Sequence, residues 1–139
     1  METLKCLIYT SVISPYCDQK AMKNILTTAR KANKRFDITG ILIHTPRLFM
    51  QYIEGPVDNI CTLFSKIKLD NRHNDIFLCH FSSIEQRVFP DWQMGYKDLT
   101  NNTVSVNGLD HPIASQLFHK FSNQFVEREE ILDVLKAFL

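Results

Sequence analysis

Six side chains in the first hundred residues can act together: Tyr9, Asn33, Gln51, Asp70, Arg72 and His73. Gln51 is the most unusual of them. In Leu48-Phe49-Met50-Gln51-Tyr52-Ile53-Glu54-Gly55, period-two alternation puts it on the same strand face as Phe49 and Ile53, an apolar face. A buried carboxamide costs about 1–3 kcal/mol unless its oxygen and its NH2 both find partners. Gln51 therefore answers a polar group inside the fold, or it sits at a half-exposed strand end ahead of Glu54-Gly55. Tyr9 offers such a group. Alone it reads as a core aromatic with its hydroxyl on a backbone carbonyl; beside Gln51 it is a phenol that can pass a proton to an amide able to donate and accept at once. Asn33 alone is a helix C-cap and Asp70-Asn71-Arg72-His73-Asn74 alone a solvated loop, yet together they put hydrogen-bonding groups at comparable ends of two helices.

The elements that position these groups follow from periodicity. Residues 4–11 form a short apolar strand closed by Ser14-Pro15. From Asp18 a helical stripe runs through Met22, Ile25, Leu26, Ala29 and Asn33. Residues 38–44 and 48–54 are the arms of a hairpin around Thr45-Pro46-Arg47, and Gly55-Pro56 opens a second helix with a stripe at Val57, Ile60, Cys61, Phe64 and Ile67. Two more strands are expected at about 75–86 and 88–96, giving βαββαββ. The fold class is thus α+β, a ferredoxin-like sheet with an added strand and two helices on one face. In that packing the first strand and the hairpin's return strand are neighbours, so Tyr9 and Gln51 can meet on the helix-covered face. A slot between the helices, walled by Ile25 and Ile67, suits a flat ring system with a polar tail.

The first strand is apolar on both parities, Leu4, Cys6 and Ile8 against Leu7 and Tyr9, so the sheet needs cover on its second face. Two amphipathic segments, Ile113, Leu117, Phe118, Phe121 and Phe125, then Ile131, Leu132, Leu135 and Phe138, are expected as C-terminal helices that supply it. Residues 1–98 read as one sheet-bearing unit and residues 99–139 as a linker (100–110) plus those helices.

With 139 residues, 45% of them apolar, the chain suits one core-bearing domain. Sixteen Lys and Arg against fifteen Asp and Glu give a net charge of +1, which argues against nucleic acid or acidic lipid as a partner. The cluster Arg30, Lys31, Lys34, Arg35 suits a helix C-terminus. Cys6, Cys17, Cys61 and Cys79 are far apart and contain no CxxC, so they read as reduced thiols, mostly of the core. No apolar run reaches the ~18 residues of a membrane span and the N-terminus lacks a signal-peptide pattern, so a cytoplasmic protein is expected.

Five co-ordered segments carry a resemblance. Leu7-Ile8-Tyr9-Thr10-Ser11, Ala29-Arg30-Lys31-Ala32-Asn33 with Ile38-Thr39-Gly40-Ile41-Leu42, Phe49 to Gly55, Asp70-Asn71-Arg72-His73, and Phe89-Pro90-Asp91-Trp92-Gln93-Met94 are similar to the successive signatures of the BLUF family of blue-light sensors, over about residues 3–98. The resemblance implies FAD, with FMN or riboflavin as substitutes, its ring sandwiched by Ile25 and Ile67. It further implies that Asn33 bonds the ring's carbonyl and N3 edge, and that Gln51 bridges Tyr9 to flavin N5 and the C4 oxygen. Asp70, Arg72 and His73 would face the ribityl-phosphate end. Trp92 and Met94, which share a strand parity in the expected strand 88–96, match the pair that exchanges positions near Gln51. Ala32 departs from the family, where a polar or ring residue is common, and the last forty residues match no motif.

Two rival readings come from other classes. An RNA-binding RRM module shares the ferredoxin-like layout, but residues 48–55 lack its RNP1 pattern of basic, glycine and alternating aromatic residues. A flavin-dependent redox enzyme would need substrate access at the ring, and the chain has no GxGxxG, Walker loop, HExxH or nucleophile elbow. A non-enzymatic photoreceptor is therefore expected. Its output would run through protein–protein contacts, with a downstream partner or a second copy of the chain meeting the C-terminal helices.

Overall fold

The computed structural model describes residues 3–44, 47–98, 104–106 and 109–111. Asp18 starts the first helix, its carboxylate accepting the Ala21 amide at 2.8 Å, so that α1 (Gln19–Arg35) is capped where the sequence reading puts its start. The helix ends in a Schellman-type turn. Phe36 is the C-cap, Asp37 takes a left-handed conformation (φ 57°), and the Ile38 amide returns to the Asn33 carbonyl at 2.8 Å.

Around α1 the strands β1 (Leu4–Ile13), β2 (Thr39–His44), β3 (Leu48–Pro56), β4 (His73–Ile84) and β5 (Gly95–Asp98) form one sheet in the order β4-β1-β3-β2-β5. The first four strands pair antiparallel, and β5 adds to β2 in parallel. This is the expected ferredoxin-like sheet with an added strand. The second helix, α2 (Val57–Leu69), follows Pro56 directly. Met22 and Leu26 of α1 and Ile60 of α2 share one core with Leu7, Tyr9, Leu42, Phe49 and Ile53, which sets both helices on the same sheet face. Cys6, Ile8, Met50 and Tyr52, on the opposite parity, are equally buried. The C-terminal helices expected to cover that face lie outside the described residues.

The last strand corrects the sequence reading. Residues 88–94 are not strand, and only Gly95–Asp98 joins the sheet. The amides of Val88 and Phe89 are held by the Glu54 carboxylate at 2.8 and 2.7 Å, and Pro90 has none to give, so the segment has no ladder to enter. Trp92 and Met94 therefore share no strand parity. Other differences are smaller. His73, expected in a loop, begins β4, and a bulge with Asp75 at φ 51° lets its register shift against β1. The four cysteines are free, but Cys61, read into the α2 stripe, is exposed. In the expected linker and one residue past it, β6 (Val104–Val106) and β7 (Leu109–His111) form a two-stranded hairpin.

Candidate functional site

Antiparallel register makes Tyr9 of β1 and Gln51 of β3 direct cross-strand partners, with Leu42 of β2 on the other side of Gln51. All three point into the helix-covered face. The Tyr9 hydroxyl donates to Gln51 Oε1, and Gln51 Nε2 donates to the Met94 sulfur at 3.4 Å. The amide is thus oriented, its carbonyl toward the phenol and its NH2 toward the thioether. Both residues are buried, at 4% and 6% exposure, which removes the half-exposed strand end as an explanation of Gln51. Tyr9 packs near Phe64 and edge-on to His73, with centroids at 5.7 and 6.1 Å. Burial, and secondarily the charge of Asp70, pushes its phenol well above the ordinary value of 10.0. Tyr9 is therefore a protonated donor across the physiological range.

These side chains line a cavity of about 310 Å³ between α1, α2 and the sheet, within the lower range of ligand pockets. Ile25, Ala29 and Ala32 wall it from α1, Leu63 and Ile67 from α2. Asn33, at the C-terminal end of the α1 stripe, is 1% exposed; its Nδ2 donates to the Gln93 carbonyl, and its Oδ1 is buried without a hydrogen bond from any described residue. A buried acceptor left open in a cavity wall fits a ligand that brings an N–H, as an imide edge does. At the mouth, Arg72 grips Asp70 through Nε and Nη2 on both carboxylate oxygens. That hydrogen bond, above the other causes, holds the Asp70 carboxyl below its usual range and raises Arg72. With Lys66 they make a charged rim suited to a polar or phosphorylated tail.

The expected residues do not all sit alike. Tyr9, Ile25, Asn33, Gln51, Ile67, Asp70, Arg72, His73 and Met94 line this one cavity. His73 is already engaged on both ring nitrogens, by the Ser11 hydroxyl and the Ile67 carbonyl, each at 2.7 Å. The carbonyl can only accept, so Nε2 carries the hydrogen, and the ring ties β1 to the end of α2. Trp92 does not line the cavity. It is 40% exposed and stacked on Phe89 at 5.4 Å, whereas Met94 is 3% exposed and holds the place beside Gln51. A broader, open groove of about 590 Å³ between Arg30, Lys31, Lys34 and Trp92 shares only Met94 with the cavity. Sequence reasoning passed over Thr28, Leu63 and Lys66, although each lies three or four residues from Ile25, Ile67 or Asp70 and so on the same helix face.

Comparison with known proteins gives the family. The chain is 34% identical over 93 residues to the photoactivated adenylate cyclase subunit beta of Euglena gracilis, a stretch that is 66% of this chain but 11% of that protein. It spans 20% of the blue light- and temperature-regulated antirepressor BluF of Escherichia coli, at 32% identity. Among solved structures, the dark state of BlrB, a BLUF protein, superposes with a TM-score of 0.67 at 36% identity, covering 70% of this chain and 74% of that one. A bacterial light-regulated adenylyl cyclase gives a TM-score of 0.75 at 30% identity, covering 98% of this chain and 37% of the other. The model of the family described as sensors of blue light using FAD matches residues 4–95, and the chain belongs to that family, BLUF.

Proposed function

We propose that Tyr9, Gln51 and Met94 are the photoactive centre of this flavin-binding blue-light sensor, and that residues 1–98 are the sensing unit whose state is read by another protein surface. The observation that carries the reading is the orientation of Gln51, an amide held between a buried phenol donor and a thioether on the wall of a ring-sized cavity. Bound FAD supplies the absorption of blue light and, once excited, a one-electron oxidant for Tyr9.

The chain's own residues do the rest. Ile25 and Ile67 would pack the ring faces, Asn33 would offer its open Oδ1 to the ring's N–H edge, and Asp70, Arg72 and His73 would border the tail. Among the described residues the Tyr9 hydroxyl is hydrogen-bonded to Gln51 Oε1, and its proton passes along that bond. Gln51 then rotates or tautomerises, exchanging its donor and acceptor ends, and the proton and electron return to Tyr9 without net oxidation. The exchanged amide no longer presents an NH2 to Met94, so the Met94 end of the segment 88–94 is released, with Trp92 as the residue placed to take a new position. Nothing is consumed, so no enzymatic activity is proposed for the chain itself. A cytoplasmic sensor that alters its contacts with a downstream protein or with a second copy fits this output. No helix among the described residues is long and apolar enough to cross a membrane.

The test is a spectrum of the flavin-loaded protein. A shift of the flavin band to the red under blue light, without bleaching and reversed in the dark, is expected. Bleaching, or turnover with a nicotinamide donor, would overturn the reading in favour of a redox enzyme.

A further inference from the structure

Glu54 is the most deeply buried carboxylate among the described residues, at 0% exposure, on the sheet face opposite the cavity and three residues from Gln51 on the same strand. Four donors converge on it. Thr39 Oγ1 gives 3.0 Å to Oε2, the Tyr52 hydroxyl 2.9 Å to Oε1, the Val88 amide 2.8 Å to Oε1 and the Phe89 amide 2.7 Å to Oε2. Thr39 Oγ1 in turn accepts Arg87 Nη1 at 2.9 Å, and the same guanidinium reaches the Asp37 carbonyl at 2.8 Å and its carboxylate at 3.0 Å. The buried carboxyl is thereby satisfied, with a guanidinium one hydroxyl away.

The placement matters because of what those two amides begin. Phe89 packs edge-on against Tyr52 at 5.5 Å and stacks on Trp92, and the Trp92 carbonyl accepts the Gly40 amide at 2.9 Å. Next, the Gln93 carbonyl accepts Asn33 and the Met94 sulfur accepts Gln51. The segment 88–94 is a clasp over the end of the sheet, fixed to β3 at both ends: through Met94 to Gln51 on the cavity face, and through residues 88 and 89 to Glu54 on the far face. Movement begun at one end has leverage on the Phe89–Trp92 pair only while the other end is held.

We propose that Glu54 is the positioning residue that anchors this clasp, converting the rearrangement of Gln51 into displacement of Trp92; this rests on the photoactive role assigned above to Tyr9, Gln51 and Met94. Glu54 touches neither the cavity nor Tyr9, so its removal separates photochemistry from transmission. In Glu54→Gln one side-chain NH2 confronts a backbone N–H of residue 88 or 89, and one of the two anchoring bonds is lost.

The experiment uses the full chain with bound FAD and its single tryptophan replaced by 5-fluorotryptophan, followed by fluorine NMR in dark and light. The intact chain is expected to show a light-dependent shift of the Trp92 resonance alongside the red shift of the flavin. Glu54→Gln should keep the flavin red shift and lose the Trp92 shift, and its dark recovery rate should change because Gln51 no longer works against a fixed segment. Thr39→Val and Arg87→Gln, which leave both amide anchors, should reduce the Trp92 shift in part; they carry the test if Glu54→Gln does not fold. A purely structural role would lower thermal stability while leaving the Trp92 shift and the recovery rate as they are, and that result overturns the proposal. So does an intact chain whose flavin shifts while Trp92 does not. An intact chain with no flavin red shift refutes the photoactive centre instead.

Discussion

Replacing Tyr9 by phenylalanine removes one oxygen from the site and leaves its packing in place. The ring keeps its neighbours Phe64 and His73, so cavity shape and flavin retention are expected to stay close to those of the parent. What is lost is the donor to Gln51 Oε1 at a position that is 6% exposed. A buried acceptor left without its donor costs about 1–3 kcal/mol, which lowers the melting temperature of a domain this size by roughly 3–10 °C. Photochemically the loss should be complete, because burial keeps the native phenol protonated and the deleted hydroxyl is the only donor on Gln51 Oε1 among the described residues. The assay is stoichiometry of bound flavin, then absorption before, during and after blue light. A Tyr9→Phe variant that holds its flavin and still gives a full, reversible red shift would falsify the assignment of Tyr9. Loss of flavin altogether would show that the hydroxyl, rather than the ring, organises the cavity.

Other substitutions divide the roles. Gln51→Leu should bind flavin and give no red shift, since Leu fills the space but relays no hydrogen bond; a surviving shift would place the switch elsewhere. Asn33→Ala removes the cavity's open acceptor and the tie to Gln93, and flavin affinity measured by equilibrium dialysis should fall by about tenfold, from ~1–2 kcal/mol of hydrogen bonding. Unchanged affinity would return Asn33 to the role of a helix-end residue. The Asp70 carboxyl is held below its ordinary value of 3.8, chiefly by Arg72, so its contribution to stability is present above that value and is lost as pH falls through the lowered folded one. Melting temperature in Asp70→Asn should accordingly depend less steeply on pH in this acid range than in the parent, and parallel curves would show that the pair does not contribute.

What was legible in the sequence was whatever periodicity and local chemistry decide alone. Gln51 among apolar neighbours, Asp18 at a helix start, and the stripe that carries Ile25 to Asn33 are statements about one element each, and the adjacency of β1 and β3, though not their register, then followed from the βαββαβ order. The strand expected at 88–96 failed for a reason no window of sequence contains. Its alternation looks like a strand, but its amides are claimed by a carboxylate more than thirty residues away. Glu54 itself was hidden by the same rule that exposed Gln51. A glutamate before a glycine reads as a strand leaving the core, and only the convergence of Thr39, Tyr52 and residues 88 and 89 makes it buried.

The two buried polar residues of β3 explain why Met94 and Trp92 are separated in this state. Gln51 and Glu54 lie on opposite faces, so a segment bound to both must cross the end of the sheet, and its residues cannot all face the cavity. The crossing puts Met94 inside and leaves Trp92 at the turn, its ring so close to Gly95 that a Cβ there would come within 2.5 Å of the indole. Glycine at 95 therefore lets the indole rest against the start of β5 without entering the core. For Trp92 to reach Gln51, Met94 must leave, and the segment cannot offer both side chains to one amide while its other end stays on Glu54. An exchange of this kind has two distinct arrangements rather than a continuum, as a switch read by another protein requires.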